Sequence, residues 1–159
     1  MGMGPRLEQP PEGVNLKFDV SMWPLAVITM PAVTTPADIE YMQECYDLIF
    51  AAPSKHALLV NTTTIVSVPD AHLRRRMKEF EDSKRAIIRQ KNIGSAIVLS
   101  NALVRGAYTA LRWISPQPAP NKAFSNVRDA AQWCVEGIEA DGQSVPEGAY
   151  ALAGVREAV

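Results

Sequence analysis

Val14, Leu16, Phe18 and Val20 alternate with polar neighbours, the period-two signature of a strand that buries one face. Residues 23–30 (WPLAVITM) are almost continuously apolar, as expected of a strand covered on both sides. The short Ser-Met step between the two segments suits a hairpin. The TTPAD that follows carries the chemistry of a helix start: Thr35 as cap, Pro36 at the first helical position and Asp38 near the positive end of the dipole. Beyond it, Ile39, Met42, Cys45, Tyr46, Ile49 and Phe50 fall on one side at helical spacing.

The same two periods alternate along the rest of the chain. Residues 57–60 (ALLV) form a short apolar strand, and the β-branched TTTIVS run extends its character. Pro69-Asp70 turns the chain into a long helical segment reaching about residue 91, with Leu73, Met77, Phe80, Ile87 and Ile88 inward. Lys84 interrupts that stripe, so either its side chain snorkels or the helix bends near Asp82-Ser83. Residues 96–99 (AIVL) are a further buried strand. A helix follows Ser100-Asn101, with Leu103, Val104, Ala107, Ala110, Leu111 and Ile114 inward. The proline-rich loop SPQPAPN cannot be helical. Residues 122–125 make a short edge strand, and Asn126 caps a last helix that buries Val127, Ala131, Cys134 and Ile138.

The order β-β-α-β-α-β-α-β-α predicts one α/β domain: a mixed, mostly parallel sheet of about five strands with right-handed crossovers, packed by about four helices. The folded unit is expected over residues 14–139. The Gly- and Pro-rich residues 1–13 and the weakly periodic residues 140–159 read as tails.

Composition leaves that picture unchanged and narrows the function. With 159 residues, 47% hydrophobic and 21% charged, and a formal net charge of -1, the chain is an ordinary globular one with no bulk attraction for polyanions. Two cysteines, Cys45 and Cys134, match neither a disulfide framework nor a zinc or redox spacing, which points to core residues in a reducing compartment. No apolar run is long enough for a membrane span, and the first residues lack a secretory apolar stretch. A cytoplasmic protein is the expectation.

WPLAVITMPAVTTPADIEYM, HALLVN, SAIVLSNALVRGAYTALRWISP and KAFSNVRDAAQW, taken in that order of elements, resemble the SpoIIAA-like branch of the STAS family over residues 14–133. The resemblance implies a small mixed sheet packed by helices, no intrinsic enzymatic activity and protein binding as the usual occupation. Some relatives also resemble the CRAL-TRIO lipid-transfer fold. Anti-sigma-factor antagonists of this kind carry a phosphorylated serine in a turn at the start of the second helix. The matching stretch here is residues 67–72, with Asp70 where a hydroxyl would be needed; its fixed charge mimics phosphate or simply favours the helix dipole. Thr62, Thr63, Thr64 and Ser67 nearby are read as strand and capping residues.

Candidate contact residues follow from charge and exposure. The second helix concentrates cations, and Arg74, Lys78, Arg85 and Arg89 form one solvent stripe on a helical wheel. Lys78 with Asp82 and Glu81 with Arg85 compensate it within the helix, and no stacking aromatics accompany it. Ser67, Asp70, His72, Arg75 and Arg76 at the helix start are therefore assigned to a protein partner, together with Arg105 and Trp113 of the third helix. Trp113 alternatively packs beneath the proline loop. Tyr41 and Leu48, facing away from the inner stripe of the first helix, suggest self-association.

For catalysis the inventory is poor. His56 and His72 have no neighbours at triad or ligand spacing and are read as solvated or capping residues; the scattered glycines fit no phosphate loop. No cofactor or metal is expected. The leading reading is a non-enzymatic STAS-like interaction or regulatory module that self-associates and binds a protein, without nucleic acid or membrane. The alternative is a carrier or sensor of a small apolar ligand, which needs a cavity of roughly 300 Å³ or more. An enzyme with a spatially assembled site ranks third.

Overall fold

The structure, a computed structural model, describes residues 4–100, 102, 104–106 and 118–155. Strands β1 (Lys17–Met22) and β2 (Leu25–Thr29) form the expected hairpin, but its turn lies at Trp23-Pro24, joined by a cis peptide bond, rather than at Ser21-Met22. Helix α1 (Pro36–Ala51) leads to β3 (His56–Asn61). Helices α2 (Ala71–Ser83) and α3 (Arg85–Lys91) lead to β4 (Asn92–Val98). Then come β5 (Asn121–Phe124), α4 (Val127–Ala140) and α5 (Glu147–Leu152). The sheet order is β1-β2-β3-β4-β5, with β1 antiparallel to β2 and the remaining pairs parallel. Most of the helix expected after Ser100-Asn101 lies outside the described residues.

Each crossover steps to the adjacent strand in the same direction, so right-handed connections keep α1, α2 and α3 on one face. There Phe18, Ile28, Leu58 and Leu99 of the sheet side meet Ile39, Met42, Cys45 and Ile49 of α1. Leu25, Ala57, Leu59, Ala96 and Val98 point the other way and are covered by Ala130, Ala131, Cys134, Val135 and Ile138 of α4. Small residues let α4 sit close to this second face: a methyl group at Gly94 would come within 2.6 Å of the Trp133 ring, and one at Gly137 within 3.3 Å of Ile93.

The caps at Thr35 and Asn126 are those the sequence predicts, whereas Asp70, read there as a first-turn residue, is itself the cap of α2. Thr35 and Asp38 form a reciprocal capping box, with Pro36 at the start. Asp70 caps α2 by accepting from Leu73 N at 2.9 Å, and Asn126 caps α4 by accepting from Asp129 N at 2.8 Å. The long second helix does break, at Lys84 (φ -106°, ψ 9°). Lys84 also snorkels, passing 5.7 Å over the Phe80 ring to pair with Asp47 at 3.0 Å.

The ends of the folded unit differ from the sequence expectation. Leu7 packs on the first core and Glu8 O accepts from Tyr41 Oη at 3.0 Å, so this part of the Gly- and Pro-rich stretch lies against the domain. Beyond residue 140 the chain turns into α5, whose Ala149 is fully buried, as is Ala153 just after it. Weak periodicity misled here because small alanines, not large apolar residues, make that contact.

Candidate functional site

Between the first sheet face and helices α1 to α3 lies a cavity of about 300 Å³, roughly ten times the volume a water molecule occupies in the liquid. Strand register builds its floor: Ile28, Val60 and Ile97 stand in one row across β2, β3 and β4, and Leu58 with Ser95 in the next. Met42, Tyr46 and Phe50 of α1 form one wall, and Met77, Phe80 and Ile88 of α2 and α3 another. The second helical segment lines the cavity while burying little of itself. In α2 only Leu73 is buried, and in α3 no residue is, although both carry the apolar stripe predicted for a helix packed flat on a sheet.

The lining is apolar, aromatic and soft. Tyr46 stacks on Phe50 at 5.7 Å between ring centroids, meets Phe18 edge-on at 5.6 Å and Phe80 at 5.8 Å. Met30, Met42 and Met77 add thioethers that adapt to irregular shapes. Burial, with Glu81's charge adding to it, raises the Tyr46 phenol above its ordinary range, so it stays neutral. Polar atoms deep in the wall are already satisfied: Asn92 Nδ2 donates to Ser95 Oγ at 2.9 Å, and Asn92 Oδ1 accepts from Gly94 N at 2.8 Å.

Among the described lining residues, charge is confined to α2. Arg74, Lys78 and Glu81 line the cavity, so two members of the stripe expected to face solvent edge an apolar space instead. Lys78 pairs with Asp82 at 2.8 Å as the spacing predicts, but Arg85 pairs with Asp82 at 3.1 Å rather than with Glu81. Those two cations hold the Asp82 carboxyl below its usual range.

The sequence-predicted contact residues lie in several parts of the fold. Ser67, Asp70, His72 and Arg75 are exposed where β3 leads into α2, while Arg76 is half-buried and reaches Glu40 at 3.9 Å. Arg105 is exposed and donates to Leu99 O at 2.8 Å; Trp113 lies outside the described residues. Leu48 is exposed at 41%, whereas Tyr41 is buried at 7% and donates from Oη to Glu8 O at 3.0 Å. Burial pushes its phenol up to about 12, with help from the Cys45 thiol beside it.

His56, expected in solvent, is fully buried beneath Trp23 and Phe50, at 5.6 and 5.9 Å between ring centroids, and neither ring nitrogen has a hydrogen-bond partner. Burial, with the Lys91 charge second, lowers its pKa to about 4. Among the described residues no group of three or more His, Cys, Asp or Glu side chains is placed to hold a metal ion, and no helix is long and apolar enough to cross a membrane. The surface feature that sequence missed is the pair Val33 and Val66, 56% and 68% exposed, on neighbouring loops joined by Val66 N donating to Ala32 O at 3.0 Å.

No protein-family model matches the chain, and no curated protein matches it. Among solved structures, an uncharacterised protein of the DUF3478 family with a SpoIIAA-like fold, from Shewanella loihica PV-4, is similar over 84% of this chain and 99% of its own, with a TM-score of 0.57 at 18% identity. Two structures of DspI from Pseudomonas aeruginosa reach a TM-score of only 0.30 at 12% and 13% identity, covering 88% of this chain and 66% and 71% of theirs. That likeness is too slight to bear on fold or function. The sheet order, the helices on its two faces and the DUF3478 structure agree on one architecture, and the chain has the SpoIIAA-like α/β fold.

Proposed function

We propose that the chain is a binding module whose ligand is a small apolar molecule held between the sheet and helices α1 to α3. The observation that carries this reading is the cavity of about 300 Å³, at the lower end of the range for ligand sites. It lies under two helices whose apolar faces remain half-buried. A helix predicted to pack flat forfeits burial worth about 1 kcal/mol or more per large side chain when its apolar face is left half-buried, and a ligand restores that burial. Adaptable methionines and stacked aromatics line the space, which suits carriage or sensing of an apolar molecule.

The test is uptake of a neutral apolar probe. Phenylnaphthylamine fluorescence is expected to rise on mixing with the native chain, decanol to displace it, and Met77→Trp, which fills the space from the half-buried helix, to abolish both. Absence of probe binding, or binding indifferent to Met77→Trp in a folded variant, removes the reading.

A second reading, contact with a protein, is favoured by the exposed Val33 and Val66 beside the polar stretch Ser67 to Arg75. Sedimentation of the native chain and of Val66→Asp tests its self-associating form. An assembly that the substitution dissociates supports it, and a monomer at every concentration removes it.

A further inference from the structure

Resting on the cavity reading above, we infer that the ligand is an amphiphilic anion, an alkyl or aryl carboxylate, whose head group is held by Arg74 and whose apolar body runs along α2 toward Phe80. Arg74 is half-buried, lines the cavity and donates from Nη1 to Pro69 O at 2.6 Å. That bond fixes one edge of the guanidinium near the loop that enters α2. The group has five donors in a planar fork, so donors remain for a second acceptor, and a carboxylate matches the fork's geometry.

Charge matching singles this residue out. Lys78 and Arg85 share Asp82, Arg76 reaches Glu40 and Lys84 reaches Asp47. Among the described residues no carboxylate lies within ion-pair distance of Arg74, although it is the cation set against an apolar cavity, where an unmatched charge costs most. The site is also polarised along its length. Arg74 sits near the positive end of α2, where anions are favoured, while Glu81 lines the same cavity seven residues further on, about 10 Å along the axis. An anion is favoured at the Arg74 end, which sets the ligand's direction. Val68, Pro69 and Ile65 close the Arg74 end with apolar groups, so the paired charges are partly shielded from water and their hydrogen bonds strengthened.

Decanoate and decanol, equal in chain length and different in charge, separate this inference from the reading it rests on. Displacement of phenylnaphthylamine is expected to be about tenfold or more tighter for decanoate at neutral pH, as a charge-assisted hydrogen bond supplies. Arg74→Gln is expected to erase that preference, Arg74→Lys to keep part of it, and Arg75→Gln, on the exposed flank, to keep all of it. Far-ultraviolet circular dichroism verifies that each variant is folded. Equal affinity for the two probes, or a decanoate preference that survives Arg74→Gln, overturns the head-group assignment and leaves the cavity reading intact. Binding of neither probe overturns both.

Discussion

Asp38 Oδ1 accepts a hydrogen bond from Leu16 N at 3.0 Å, so a carboxylate in the first turn of α1 is tied to the chain just ahead of β1. The same oxygen accepts from Asn15 N at 2.8 Å, and Oδ2 accepts from Thr35 N at 2.9 Å. Burial alone would raise this carboxyl's pKa, but the donors from Thr35, Leu16 and Asn15 together outweigh it and hold the group below its usual range. Asp38→Ala is expected to cost about 3 kcal/mol, since buried backbone donors lose a charged acceptor; Thr35→Ala, which removes only the cap, is expected to cost about 1 kcal/mol. Because the folded pKa is lowered, this contribution is full above the carboxylate's ordinary value and is lost as pH falls below that value and through the lowered folded one. Urea denaturation of both variants checks the ranking, and equal losses would refute the cross-chain role of Asp38.

His56 makes stability pH-dependent in a higher window. Its folded pKa is about 4 against an ordinary 6.5, so the folded protein resists a proton that the unfolded chain accepts. The sign follows: stability is intact above the ordinary value and declines as pH falls toward the folded one. The decline is expected to reach about 2 kcal/mol at about pH 5. His56→Leu should flatten the profile between the two values, and an unchanged slope in urea titrations would exclude His56 as its source.

Gly94 is required by Trp133. Gly94→Ala places a methyl group 2.6 Å from the ring and is expected to cost about 1–3 kcal/mol through overpacking. Trp133→Leu makes room, so the double variant should lose less than the sum of the single ones. A strictly additive double-mutant cycle would show that the two residues do not collide.

Leu7 and Glu8 tie the residues ahead of β1 into the domain's stability. Deleting residues 1–13 uncovers Tyr41 and Leu7's place on the core, and the expected loss is about 2–4 kcal/mol from one large apolar contact and one hydrogen bond. Chemical denaturation of the shortened chain is the check. A loss under about 0.5 kcal/mol, the level of a neutral surface change, would restore the stretch to the status of a tail.

Both thiols are expected to be inert in the native state. Cys134 is buried, its pKa pushed up to about 12, and Cys45 is buried and raised as well; the thiolate is the reactive form. Thiol-reagent kinetics should track global unfolding, and fast modification of either residue in the folded protein would contradict the packing.

The fold was legible wherever hydrophobic periodicity was strong. Alternation at Leu16 and Phe18, the unbroken WPLAVITM and the Thr35-Pro36-Asp38 cap led to the right strand pair and helix because local preference and tertiary packing agree there. The candidate site was not legible in the same way. The stripe Leu73, Met77, Phe80, Ile87 and Ile88 has the period of a buried face, and periodicity reports which side is apolar, not how much of it the fold buries. His56 was misplaced for a related reason: a histidine at a strand start reads as solvated, and only the Trp23 and Phe50 rings, far away in sequence, enclose it. Arg74 was placed in solvent on a helical wheel that had no cavity in it.

Sequence neighbours are also sheet neighbours from β1 to β5, so each strand emerging from the ribosome meets a partner already made, and the first face gains its α1 cover early. The opposite face, with Leu25, Leu59 and Val98, waits for α4, which follows all five strands in the chain. A nascent or cleaved chain ending before residue 127 therefore presents a bare apolar sheet surface to chaperones and to other copies, and the quality control of this protein hinges on its last two described helices.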